Sequence, residues 1–278
     1  MNKLKAFSFQ RPLLFSIILM SFASLIFIAP AEKLFLPFFD LLSSTLLKEL
    51  LTKLLFCIIA IFILARLDLI KSIGLTKFAT RAMDWLITWP AAIILLIGML
   101  PLIFGSFAVD FARPDVLIIF ILMNFFIGLS EELLVRGLIL NVLLKKWGST
   151  KNGIYYSVII SSLIFGAAHL VNLIGKTGFL VATLSQVIYA TFIGIFFAAC
   201  VLRSRSIWPA IIIHAAIDFV SQLQLISVGG GIEAAEKATA STTLMQTFMP
   251  VLIYGMLASY GFFLLKKVTP ATVKSTFD

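Results

Sequence analysis

A chain of 278 residues in which 61% are hydrophobic and only 13% charged carries far more apolar surface than one soluble core can hide. A mean hydropathy of +1.09, with apolar segments recurring along the whole length, also excludes a soluble domain on a single anchor. The formal net charge of +9 would suggest nucleic acid in a soluble protein, but its distribution over the loops gives it another meaning here and implies no nucleic-acid partner.

Eight apolar segments are predicted as membrane-crossing helices, over 12–30, 50–65, 86–107, 116–144, 154–173, 179–202, 207–226 and 246–265. The first follows a basic start, and Ala29-Pro30-Ala31 loosely resembles a signal-peptide cleavage site; the long apolar run and the proline argue for a retained span. The stretch 33–48, carrying Lys33, Asp40 and Lys48, reads as an interfacial amphipathic helix. Cys57 lies in the second segment and Cys200 in the sixth without C-x-x-C spacing, so both read as small core residues. The fourth segment is too long for one straight span. In the sixth, Gly194 and Ala198 form a small-xxx-small pair that permits close helix approach. The stretch 227–243, rich in Gly, Ala, Ser and Thr, reads as a flexible extracytoplasmic loop. The fold class is therefore all-α, a polytopic helix bundle in a lipid bilayer, with residues 1–278 as one transmembrane domain.

Basic residues sort by loop. Lys3, Lys5, Arg11, Arg66, Lys71, Lys77, Arg81, Lys145, Lys146, Lys151, Arg203, Arg205, Lys266, Lys267 and Lys274 fall on one side; Lys33, Lys48, Lys53, Arg113, Lys176 and Lys237 fall on the other. This asymmetry predicts both termini on the cytoplasmic side of the membrane.

Because a charge in the bilayer core costs several kcal/mol, the ionisable residues retained in the segments are informative: Glu131, Glu132, Arg136, His169, His214 and Asp218. In "EELLVR", Glu132 and Arg136 are four apart and share a helical face, so an ion pair offsets part of the burial cost. Glu131 is rotated by about 100° and escapes that pairing. A purely structural salt-bridge cluster explains these three residues equally well. Phe165 and His169 are also four apart, as are His214 and Asp218. An unpaired glutamate, two histidines and an aspartate on three spans supply the set from which a polar, water-holding cavity is assembled. Measured from each segment's midpoint, Glu131 falls near the midplane, His169 about 8 Å outward and His214 about 4 Å toward the cytoplasm. Convergence then requires tilted, kinked or offset helices.

Glu131-Glu132-x-x-x-Arg136, Phe165-x-x-x-His169 and His214-x-x-x-Asp218, in that order, resemble the three motifs of the CPBP intramembrane protease family, which joins CAAX prenyl endopeptidases with bacterial Abi and bacteriocin-processing proteins. The resemblance covers roughly residues 85–225. It implies an endopeptidase of a bacterial cytoplasmic membrane acting on a peptide or lipidated-protein substrate, with Glu131, His169, His214 and Asp218 catalytic and Glu132, Arg136 and Phe165 supporting them. Glu131, helped by His169, would deprotonate a water, and His214 would stabilise the oxyanion. Many relatives carry asparagine where this chain has Asp218; a carboxylate cannot donate to an oxyanion, so Asp218 is expected to orient or charge His214.

The resemblance leaves cofactors open. Glu131, His169, His214 and Asp218 are a possible nitrogen and oxygen ligand set for zinc, yet no H-E-x-x-H helix is present and water activation by glutamate and histidine requires no ion. The reading favours none. A non-catalytic immunity or scaffold protein of the same family is the main rival, and a transporter is a third class disfavoured by the lack of evident inverted repeats.

Overall fold

The computed structural model describes residues 3–27, 37–38, 40–78, 82–105, 108–174, 179–240 and 242–277. They are almost wholly helical, with one isolated β-bridge between Val109 and Ser227 and no strand among them. In chain order the α-helices are α1 (Lys3–Gln10), α2 (Pro12–Phe27), α3 (Leu41–Arg66), α4 (Ala82–Leu86), α5 (Trp89–Ile103), α6 (Pro114–Glu132), α7 (Asn141–Trp147), α8 (Lys151–Ala168), α9 (Leu180–Ser204), α10 (Trp208–Ser221), α11 (Ile232–Ala240), α12 (Leu244–Leu265) and α13 (Pro270–Phe277).

Local sequence sets many of these limits. Proline, whose missing N–H costs nothing in a first turn, opens α2, α6 and α13 and stands second in α5 and α10. Thr243 and Gln246 form a reciprocal cap at the start of α12. Arg205, in the left-handed region at φ 57°, ends α9.

Every predicted segment falls on helix, but 50–65 is only the second part of α3 and 116–144 runs through α6, a π-helical stretch and α7, and fewer than the eight expected crossings are long and apolar enough among the described residues. Four rods are long and apolar enough to cross a membrane, namely Pro114–Trp147, Lys151–Leu173, Leu180–Ser204 and Leu244–Leu265. A fifth is α1 with α2, taken as one span bent by 110°. Helices α5 and α10 are apolar but shorter, and α3 has the length but holds Lys48, Glu49, Lys53 and Arg66. Large apolar side chains point outward from these helices, among them Leu25 on α2, Ile58 and Phe62 on α3, Leu96 on α5 and Leu252 on α12. A bilayer covers such a belt; water does not. The chain is an integral membrane protein.

Three expectations need correction. Residues 41–48 are not an interfacial helix but the first turns of α3; residues 33–36 and 39 lie outside the described residues, as does Ala29-Pro30-Ala31. Lys48 and Lys53, counted with the outer basic residues, accordingly sit buried inside α3. The expected loop 227–243 contains α11, whose Ala, Glu and Lys residues have high helix propensity.

The connections sort to two ends. At one, Lys5 pairs with Asp68, Trp208 Nε1 donates to the Leu75 carbonyl, Lys151 Nζ donates to the carbonyls of Leu265 and Val268, and Lys145 lies over the Phe277 ring. At the other, Arg113 pairs with Asp40 at 2.5 Å, and Asp110 N–H donates to the Ile226 carbonyl. The Asp40 carboxyl also accepts the Ser43 N–H, and that bond and the guanidinium together hold it below the usual carboxylate range. Lys5, Lys145 and Lys151 thus share an end, as the charge sorting predicted.

Helix α9 is central, packed between α8 and α12, while α6 packs between α3 and α10. Close approach relies on glycine. A Cβ on Gly166 would lie 2.1 Å from Thr191 Oγ1, and one on Gly194 2.9 Å from Ser162, so the small residues of α9 do permit tight packing. On α6, a Cβ at Gly128 would meet Ala215 N and the Ile211 carbonyl oxygen at 2.8 Å. Since that contact is with backbone, Gly128→Ala is expected to push α10 from α6 and cost about 1–3 kcal/mol. Thermal unfolding in detergent checks this; an unchanged midpoint would mean that the two helices separate freely.

Candidate active site

Glu131 and Glu132 close the α-helical part of α6, and the rod then continues as a π-helix over Leu133–Leu140. Such wide turns leave carbonyls poorly satisfied; Asn141 Nδ2 donates to those of Arg136 (2.7 Å) and Gly137 (3.0 Å). Glu132 and Arg136 remain one turn apart. Arg136 Nη1 donates to Glu132 Oε1 at 2.8 Å and Nη2 to the Gly194 carbonyl at 3.1 Å, with the guanidinium between the rings of Phe165 and Phe197. The expected ion pair is present, and both residues are almost wholly buried.

His214, on α10, donates from Nδ1 to Glu132 Oε1 at 2.8 Å. Its Nε2 is 3.7 Å from Glu131 Oε2 and 3.6 Å from Asp218 Oδ2. The short bond to His214 therefore comes from Glu132, not from Asp218 as the one-turn spacing suggested. Asp218 Oδ2 has no hydrogen-bond partner among the described residues.

His169 ends α8, where the chain tightens into a 3₁₀ turn over His169–Leu173. Its Nδ1 lies 3.1 Å from the Phe165 carbonyl oxygen. A carbonyl only accepts, so Nδ1 carries the proton and Nε2 is left as the acceptor. The Phe165 ring stands edge-on to both imidazoles, at 5.2 Å from His169 and 6.0 Å from His214, and so fixes their spacing.

All four nominated catalytic residues line one cavity of about 320 Å³. Met20, Phe27, Phe56, Met123 and Ile127 give it apolar walls, and Asn172, Gln186 and Gln222 give it a polar side. Asn172 bonds Gln186 at 2.9 Å, and Gln222 bonds Asn124 at 3.1 Å. The 3₁₀ turn and the π-helix supply the departures from straight α-helices that convergence required.

One participant was missed. Glu131 does not stand unpaired: Lys53 Nζ donates to its Oε1 at 2.8 Å. The signal lies in the sequence: Lys53 falls within the predicted segment 50–65, where a lysine needs a partner, although it sorts there with the outer basic residues.

The donors do not make a cage for zinc. Among the described residues no group of three His, Cys, Asp or Glu side chains is placed to hold an ion, and the Lys53 ammonium already occupies Glu131 Oε1.

Residues 113–220 match the family model for type II CAAX prenyl endopeptidase, Rce1-like, a stretch that holds all three motifs and agrees with the CPBP resemblance. No curated protein and no solved structure matches the chain. The matched family is a family of membrane proteases.

Proposed function

We propose that the chain, as one transmembrane domain, is an intramembrane endopeptidase in which Glu131, helped by His169, takes a proton from a water that attacks the scissile carbonyl of a peptide or prenylated-protein substrate. One observation carries the reading: Glu131, His169, His214 and Asp218, far apart in sequence, face the same cavity with apolar walls. The His169 Nε2 acceptor suits it to share the water's proton with Glu131, and exclusion of bulk solvent strengthens each interaction. As the water oxygen bonds to the carbonyl carbon, negative charge develops on the carbonyl oxygen. His214, anchored through Nδ1 by Glu132, offers Nε2–H to that oxygen when both its nitrogens are protonated. Collapse breaks the C–N bond, and the proton held by Glu131 or His169 passes to the leaving amine.

Since Glu132 orients His214, Asp218 is free for a lesser task. Asp218→Asn is expected to keep turnover within about one order of magnitude, because the new amide can itself donate to the oxyanion. Loss of all activity would show that the carboxylate is required.

The basic end, which holds Lys5, Lys145 and Lys151, is assigned to the cytoplasm of a bacterial cell. A reporter fused after Lys267 should be active on the cytoplasmic side; activity on the other side would reverse the assignment. The function itself is tested by comparing membrane proteomes of cells with wild-type protein and with Glu131→Ala or His169→Ala protein. Shortened peptides that depend on both residues support hydrolysis. A cell phenotype that survives both substitutions, with no change in peptides, would favour the non-catalytic immunity or scaffold reading.

A further inference from the structure

The most costly group that the proposed chemistry leaves unused is Lys53. It projects from the middle of α3, its side chain only 7% exposed, with Nζ 2.8 Å from Glu131 Oε1 and 4.4 Å from the centre of the Phe27 ring. It is the only Lys or Arg among the described residues that line the cavity. The nearest carboxylate on its own helix, Glu49, bonds Lys48 at 3.1 Å, and Lys48 is held in turn by the Phe27 carbonyl. Lys53 also lies outside the stretch 113–220 that matches the protease family.

We propose that Lys53 is a positioning residue of this site: its ammonium group grips one oxygen of Glu131, fixes the carboxylate in the cavity, and leaves the second oxygen turned toward His214 and the space where water and a peptide carbonyl would meet. The inference rests on the reading of Glu131 as the base. A carboxylate on a flexible stem otherwise rotates, and neither of its sequence neighbours restrains it, since Ser130 bonds the Ile127 carbonyl and Glu132 is committed to Arg136 and His214. The charged groups that face Glu131 are Lys53 and Glu49 from α3, His169 from the end of α8, and His214 and Asp218 from α10. Two other carboxylates, Glu49 and Asp218, line the same cavity, and Lys53 is the cation at hydrogen-bonding distance of Glu131. Holding Oε1 from α3 also ties the catalytic end of α6 to a helix outside the motif-bearing stretch. The arrangement accounts for a buried lysine that would otherwise be a pure cost to a membrane protein.

The test uses the full chain in detergent, and its labelling arm needs no substrate. Wild-type, Lys53→Met and Lys53→Arg proteins are treated at pH 7 with dicyclohexylcarbodiimide, which adds to neutral carboxyl groups, and the adduct on Glu131 is measured by peptide mass spectrometry. Lys53→Met is expected to label at least about tenfold faster than wild type, because a carboxylate stripped of its counter-cation takes up a proton. Lys53→Arg should label near the wild-type rate. Lys53→Gln, which keeps a donor without the charge, should also label faster and serves if the methionine variant does not fold. On an internally quenched farnesylated peptide, Lys53→Met should lower kcat roughly 10- to 100-fold with KM unchanged, and Lys53→Arg should recover most of it. An unchanged labelling rate in a folded Lys53→Met or Lys53→Gln protein overturns the inference. Glu131→Gln separates the two levels: full turnover there removes Glu131 as the base, whereas an inactive Glu131→Gln alongside unchanged labelling removes only Lys53.

Discussion

Glu131→Gln is expected to lower turnover about 100- to 10,000-fold, the range for loss of a general base, while lowering the unfolding temperature less than Glu132→Gln does, because the Glu131 side chain is 24% exposed and that of Glu132 is wholly buried. The substitution is nearly isosteric. The amide oxygen can still accept from Lys53 Nζ, which now lies 2.8 Å from Oε1, so the tie between α3 and α6 persists. What disappears is the capacity to take a proton from water. Because the group acts on the transition state, the loss should fall on kcat, with KM little changed. Steady-state kinetics on the farnesylated quenched peptide, together with a melting curve, read both halves of this expectation. Turnover within tenfold of wild type would remove Glu131 from the chemistry, and a large loss of stability would mean that its role is mainly structural. The contrast with its neighbour is sharp, because Glu132 is wholly buried and bonded to both Arg136 and His214.

Much of this site was legible in the sequence, for a reason that belongs to membranes. Where each buried charge costs several kcal/mol, polar residues survive only with a task, so the ionisable residues within apolar segments already made a short list of candidates. The one-turn spacing of Glu132 and Arg136 gave their pairing directly. It also placed Asp218 beside His214, at 3.6 Å from Nε2, but not the tighter contact from Glu132, 82 positions earlier in the chain, which meets Nδ1 at 2.8 Å. Spacing along a helix reports neighbours on that helix; it is silent on partners from another.

The departures from regular helix were also hidden. Nothing in the string Leu133–Leu140 announces a π-helix, and the side chain that bonds its Arg136 and Gly137 carbonyls, Asn141, lies beyond it. The 3₁₀ turn at His169 likewise depends on where its ring is held. Lys53 lies inside the predicted segment 50–65, yet counting it with the outer basic residues keeps it off the list of intramembrane charges; α3 runs unbroken from Leu41 to Arg66 and carries it near its middle.

The second large effect separates architecture from chemistry within one cluster. Arg136→Met should destabilise the protein by about 3–5 kcal/mol, because Glu132 would be left as a buried charge without its cation. Glu132→Gln alone should also destabilise it, leaving the guanidinium between Phe165 and Phe197 with a neutral partner. The double variant removes both charges together, and a buried ion pair replaced by apolar or neutral groups is often close to neutral in stability. Its unfolding midpoint should therefore recover toward wild type, a coupling that a thermodynamic cycle measures. Turnover should not recover with it. His214 Nδ1 would face an amide oxygen in place of the carboxylate 2.8 Å away, and the imidazole would lose the charge that favours its second proton. An activity deficit of about 100-fold in a stable double variant is then the expected signature, the scale of one lost oxyanion donor. Recovery of both stability and turnover would reduce Glu132 and Arg136 to a scaffold pair, and His214 would need another source of order.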